Sequence, residues 1–347
     1  MRAVAAVVLV ALAIAACAPA PAGSSPSLSA RPAKDKVKLP SVISTELNLP
    51  SLVAYAKDFF GDQNIEVTDF VLGTSATLRN AMIAKEYDFG LFAFVHDPLA
   101  RLAGSPWKAV LSTHDREIFS LIIRSQLKDS IKSVADLRGK NVGVTSPGSG
   151  SWAMANVYLK KVGLTPDKDV SLVNLGGDPA AIYTALQTGK VDAILSWEPV
   201  TSRVLETGVG APLVAIYQPG TEKEWLGSEK ALALALMTRE DVIQSKRDLV
   251  QRMVKAHQDA LSFIAKTDAG AIADLILGNP KTAEQFAGID RSLLARLIDR
   301  IKSGFGTGCL SKSGFEAEMS LSVQYQLVKQ PITFQDFADT SFAGDCP

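Results

Sequence analysis

The chain is poor in the residues that carry most metal and covalent chemistry. Of its 347 residues three are cysteine (Cys17, Cys309, Cys346) and three are histidine (His96, His114, His257). Neither a Cys-x-x-Cys pair nor a Cys/His cluster occurs, which argues against a zinc or iron–sulfur centre and leaves no metal site to assign. No Ser/His/Asp arrangement stands out, so no catalytic residue is assigned either. An excess of one charge is also missing. Lys and Arg number 36 against 36 Asp and Glu, and no long basic run is present, which speaks against a nucleic-acid partner. Long apolar runs are lacking as well. Residues 4–16 form one, but a bilayer span needs roughly 20.

That short run is informative for what it ends on. Arg2 precedes it, and Ala13-Ile14-Ala15-Ala16 sets small residues before Cys17. This is the layout of a lipoprotein signal, residues 1–17, with Cys17 as the lipidated residue. An ordinary secretory signal cleaved near residues 16–22 is the other reading. Residues 18–37 are rich in Pro, Ala, Ser and Gly, and such a stretch buries too little surface to offset its ordering entropy. It reads as a flexible tether. The expected location is the cell envelope: periplasm or outer face of the cytoplasmic membrane, anchored through Cys17. With Cys17 lipidated, Cys309 and Cys346 remain as an even pair in an oxidising compartment, either joined as a disulfide or left as two structural thiols.

The body is 47% hydrophobic over the whole chain, with 21% charged residues, and is long enough for two lobes. Strand and helix patterns alternate up to residue 238. Strands are expected at 38–44, 65–72, 88–95, 109–113, 119–124, 141–145, 170–174, 191–196, 212–217 and 231–238. Helical spacing occupies 52–60, 74–85, 97–103, 152–162 and 179–188, and then nearly all of 249–328. Such alternation implies parallel strands with helical crossovers, an α/β class. In such sheets ligands bind beyond the carboxyl ends of the strands.

At those ends the chain carries hydroxyls, glycine and aromatics. Thr45 and Asn48 follow the first strand, Ser75 the second, and Phe94 and His96 end the third. Ser149, Gly150 and Ser151 enter a helix, and Trp152 follows them. Trp197-Glu198-Pro199 ends another strand, offering a stacking wall with a carboxylate beside it. Helix N-termini with free N–H groups suit a small anion or polar head group. His96 is the one candidate general base near this edge.

These residues carry a family resemblance. Ser133-Val134-Ala135-Asp136-Leu137-Arg138-Gly139-Lys140-Asn141-Val142-Gly143-Val144, the turn at 148–151, Thr188-Gly189-Lys190-Val191-Asp192-Ala193 and Trp197-Glu198-Pro199 resemble the periplasmic solute-binding proteins of ABC importers. The likeness is to the nitrate/sulfonate/taurine and thiamine-precursor-like group, and spans about residues 37–328. Ala56-Lys57-Asp58-Phe59-Phe60 is similar to the group's first-helix ending. The resemblance implies a type II two-lobed α/β fold with a discontinuous first lobe and a helical C-terminal region. Lobe one would comprise residues 38–121 and 239–347, and lobe two residues 122–238. It further implies a pocket lined by Thr45, Asn48, Ser75, Phe94, Ser149, Gly150, Ser151 and Trp197, with Glu198 at its edge. Trp152 is a further candidate for the same pocket. No arginine is apparent at the motif positions.

The implied function is capture of a small organic or oxyanion solute by hinge closure, without a cofactor, and delivery to a membrane permease by a monomeric binding protein. An enzyme on the same fold, with pyrimidine-precursor or dehydratase-like chemistry, is the alternative. A ligand-sensing receptor partner is another.

Overall fold

The computed structural model describes residues 33–344 and Cys346. The signal and Cys17 therefore lie outside the described residues, as does most of the expected tether. That tether ends earlier than residue 37. Strand β1 (Asp35–Ser41) already pairs in parallel at Asp35 with β2 (Ile65–Leu72). Val37 and Leu39 bury their side chains there, which a solvated tether would not do.

Among the described residues, ten strands form a mixed α/β arrangement. Beyond β1 and β2, β3 (Phe89–Ala93) and β4 (Trp107–His114) flank β10 (Leu234–Arg239), which runs antiparallel to both. β1 packs beside β3, so this layer reads β2-β1-β3-β10-β4. The other sheet is β7 (Ser171–Asn174), β6 (Asn141–Val144), β8 (Ala193–Ser196), β5 (Ser120–Arg124) and β9 (Gly210–Val214), in that order. Here β5 is the antiparallel strand, paired with β8 and β9, while β6 pairs in parallel with β7 and β8. The two layers share one plan. Each has a first strand between a second and a third, then the strand arriving from the other layer, then a fourth.

The chain crosses between the layers twice, through residues 115–119 and 215–233. β10 falls before the boundary expected at residue 239. Its residues read as part of the second half in sequence order, but their backbone partners are Phe89–Ala93 and β4.

Helices follow most parallel strands. They are α1 (Thr45–Ala56) with the short α2 (Phe59–Asp62), α3 (Ser75–Ile83), α4 (His96–Leu102), α5 (Gly150–Lys161), α6 (Pro179–Gln187) and α7 (Val200–Glu206). α8 (Thr221–Leu226) lies in the second crossing. The rest of the chain is α9 (Glu240–Ser245), α10 (Arg247–Lys266), α11 (Ala269–Gly278), α12 (Pro280–Ala283), α13 (Arg291–Ile301), α14 (Lys312–Gln324) and α15 (Phe334–Phe337). α10 and α13 are amphipathic. Val250, Met253, Val254, Leu261 and Ile264 on α10 and Leu294, Leu297 and Ile298 on α13 are buried at helical spacing. α13 packs on α11, and α10 on α1. Cys309 and Cys346 are joined by a disulfide with Cα atoms 5.1 Å apart. It ties the last segment to the start of α14. Among the described residues, no helix is long and apolar enough to cross a membrane.

Candidate functional site

The carboxyl ends of parallel strands from both layers meet around one narrow cleft. After β1 come Val42, Ser44 and Leu47; after β2, Ser75; at the end of β3, Ala93. From the other layer come Thr145, Gly150 and Ser151 after β6, and Trp197 after β8. Ile118 and Phe119 close the cleft from the first crossing, and Leu234 from the start of β10. The space for water-sized atoms is about 30 Å³ and its walls are mostly apolar.

Local sequence chemistry builds each wall. Ser44 has extended backbone and its Oγ accepts the Leu47 N–H at 3.3 Å, so it caps α1. Thr74 caps α3 in the same way and leaves Ser75 at the first helical position. Ser149 caps α5 through the Trp152 N–H at 3.2 Å. Ser151 Oγ lies 3.0 Å from Thr145 Oγ1 and 3.1 Å from Ser149 Oγ, and accepts the Thr145 N–H at 3.0 Å. Gly148 adopts a φ of 73°, which lets the turn fold back. Gly150 sits so close that a Cβ would lie 2.8 Å from the Phe119 ring.

Four bonds cross between the layers around this cleft. Trp197 Nε1 donates to the Ile43 carbonyl at 2.8 Å. The Thr45 N–H donates to the Glu198 carbonyl at 2.9 Å. The Glu198 N–H donates to Glu46 Oε1 at 2.8 Å. Arg79, on α3, donates to the Gly148 carbonyl at 2.9 Å. Trp197 also meets the Phe119 ring edge-on, with centroids 5.9 Å apart.

Of the residues expected to line the pocket, Ser75, Gly150, Ser151 and Trp197 do so. Thr45 and Asn48 do not, because 44–48 is the first turn of a buried helix rather than a loop. Thr45 is fully buried, and Asn48 turns away to bond the Val42 carbonyl and Gln285 Oε1. Ser149 is buried as a cap, and Trp152 is half-buried against the hydrophobic core. Phe94 stacks on Phe337 at 4.8 Å and faces a second cavity behind the cleft. Glu198 faces the opposite side, where Oε1 binds Arg300 at 3.0 Å and Oε2 accepts the Ser202 N–H at 3.0 Å. Its neighbour Glu46 is pushed up to about 8, by burial first and then by the Glu198 charge.

His96 is fully buried, against Phe92 and 3.4 Å from Arg79, and burial lowers it to about 3. It lies outside the cleft lining, so a role as general base has no geometric support. The sequence reading also missed Arg79, within α3, and Arg300, in the last turn of α13, both away from any motif. Phe119 was missed too, and its aromatic ring beside a strand start was the available signal.

Residues 48–271 match the NMT1/THI5-like family model. A Brucella abortus (strain 2308) protein, provisionally named as a binding protein, is 25% identical over 239 residues, 65% of this chain and 70% of that one. The alkanesulfonate-binding protein SsuA from Xanthomonas axonopodis pv. citri, solved with MOPS bound, superposes with a TM-score of 0.67. It is 18% identical, over 88% of this chain and 98% of that one. The desulfurization enzyme DSZB superposes with a TM-score of 0.62 at 17% identity, over 89% of this chain and 97% of that one. These likenesses show the α/β fold of periplasmic binding proteins. With nearly two thirds of its length matched by the family model, the chain belongs to the NMT1/THI5-like family.

Proposed function

We propose that the protein is the extracytoplasmic solute-binding component of an ABC-type importer. It captures a small organic or oxyanion solute in the cleft and presents the closed form to a membrane permease. The observation that carries this reading is the composition of one pocket from strand ends of both layers. A solute held there touches α3 and α5 at their N-termini and Trp197 at once, so its binding energy draws the layers together. In this reading residues 35–119 with 234–347 form one lobe and residues 120–233 the other. The four cross-layer bonds through Ile43, Thr45, Glu46 and Gly148 belong to the closed state. Lipidation of Cys17 holds the monomeric protein beside its permease, and no cofactor takes part.

The test is a thermal-shift screen of sulfonates, nitrate, carboxylates, pyrimidines and flavin precursors. A bound solute at about 100 times its Kd adds roughly 2.7 kcal/mol of stability. We expect stabilisation by a solute that is recovered chemically unchanged. Because DSZB shares the fold, the recovered solute is also analysed for turnover, and turnover would favour the enzymatic reading.

A further inference from the structure

Behind the cleft lies a second, smaller cavity that shares Ala93, Phe119 and Gly150 with it. Its space for water-sized atoms is about 20 Å³, enough for one ammonium-sized group. Two carboxyl groups line it: Glu117, from the first crossing, and Glu318, from α14. Both are at least nine-tenths buried. Glu117 Oε1 accepts the N–H groups of Ile118 at 2.7 Å and Phe119 at 3.0 Å. Glu318 Oε1 has no hydrogen-bond partner.

Among the described residues, no Lys or Arg forms an ion pair with either group or with nearby Glu222, whose Oε1 accepts the Glu117 N–H at 2.7 Å. A buried carboxyl oxygen without a donor costs free energy that a bound donor would recover. Burial pushes Glu117 up to about 7 and Glu318 well above the usual carboxylate range. A metal is a poor complement, since the described residues hold no group of three or more His, Cys, Asp or Glu arranged for one. The complement that fits this space is an N–H-bearing organic cation, whose donors match the unpartnered Glu318 oxygen and the remaining acceptor capacity of Glu117.

Resting on the solute-binding reading above, we propose that this cavity is the cation subsite of that same site. The solute carries a primary ammonium group seated between Glu318 and Glu117. Its apolar body lies in the cleft against Leu47, Phe119 and Trp197.

The experiment is calorimetric titration of the full chain with primary alkyl- and arylalkylamines and their hydroxyl isosteres. The amines should bind roughly 10- to 100-fold tighter than the matched alcohols. Glu318→Gln, which keeps the side chain's shape, should erase that difference while leaving alcohol affinity unchanged. Glu117→Gln should reduce it and serves if Glu318→Gln fails to fold. If non-amine solutes bind without an amine preference, or the preference survives both variants, the cation subsite is wrong and the solute-binding reading stands. If no amine in the series binds, the subsite is likewise overturned, and the wider solute screen decides the binding reading separately.

Discussion

Glu46 and Glu198 meet where the two layers touch, and their chemistry is set by burial. Glu46 is 3% exposed and accepts the Glu198 N–H and the Ser44 hydroxyl, while Arg300 engages the Glu198 carboxylate. With a folded value of about 8 against an ordinary 4.5, Glu46 stays protonated while the unfolded chain has lost its proton. Its contribution to stability is therefore fully present below pH 4.5 and is lost as pH rises toward 8. Glu117, Glu222 and Asp97, each raised to about 7 chiefly by burial, act in the same direction. His96, His114 and His257 are lowered to about 3, 4 and 4 by burial, so they oppose this trend only below about pH 6.5. Above 6.5 the carboxyls act alone and stability should fall. Glu46→Gln keeps the acceptor for the Glu198 N–H and removes the titration. We expect its loss of stability between pH 6.5 and 8, followed by urea denaturation, to be shallower than the parent's by up to about 1.4 kcal/mol per pH unit. An unchanged slope would place the Glu46 proton elsewhere.

At the scale of elements, helix entrances decide the shape of the cleft. α5 starts from Ser149, whose hydroxyl caps the helix and braces Ser151. Ser149→Ala should cost about 1 kcal/mol of stability by losing the cap, read in the same denaturation measurement. The α5 entrance was legible because Pro147, Gly148 and Ser149 punctuate the sequence just after a strand. The α1 entrance was not. Every residue from Thr45 to Ala54 is buried, so the helix carries no polar face and no helical period. Thr45 and Asn48, placed by the sequence pattern in a loop at the strand end, are packed helix. Trp197 and Ser75 were legible because each ends or follows a strand whose pattern was plain. The pairing of β10 between β3 and β4 links residues at least 120 positions apart and leaves no local mark.

For the whole molecule, the proposed solute capture takes the two crossings between similarly built layers as the hinge, and the bonds through Trp197, Glu198 and Arg79 as those of its closed state. The disulfide closes a separation of 37 residues, which on the chain-entropy model contributes about 3–4 kcal/mol. It lies outside the cleft lining and ties the C-terminal segment to the start of α14. The central claim is that the cleft at the strand ends holds a small solute without transforming it. The most direct measurement is native mass spectrometry of the protein with the best-stabilising solute, beside Ser75→Phe, which fills the cleft from a partly exposed position. The account predicts one solute per chain, released unchanged on denaturation and absent from Ser75→Phe. A solute retained by the filled variant, or released in altered form, would contradict it.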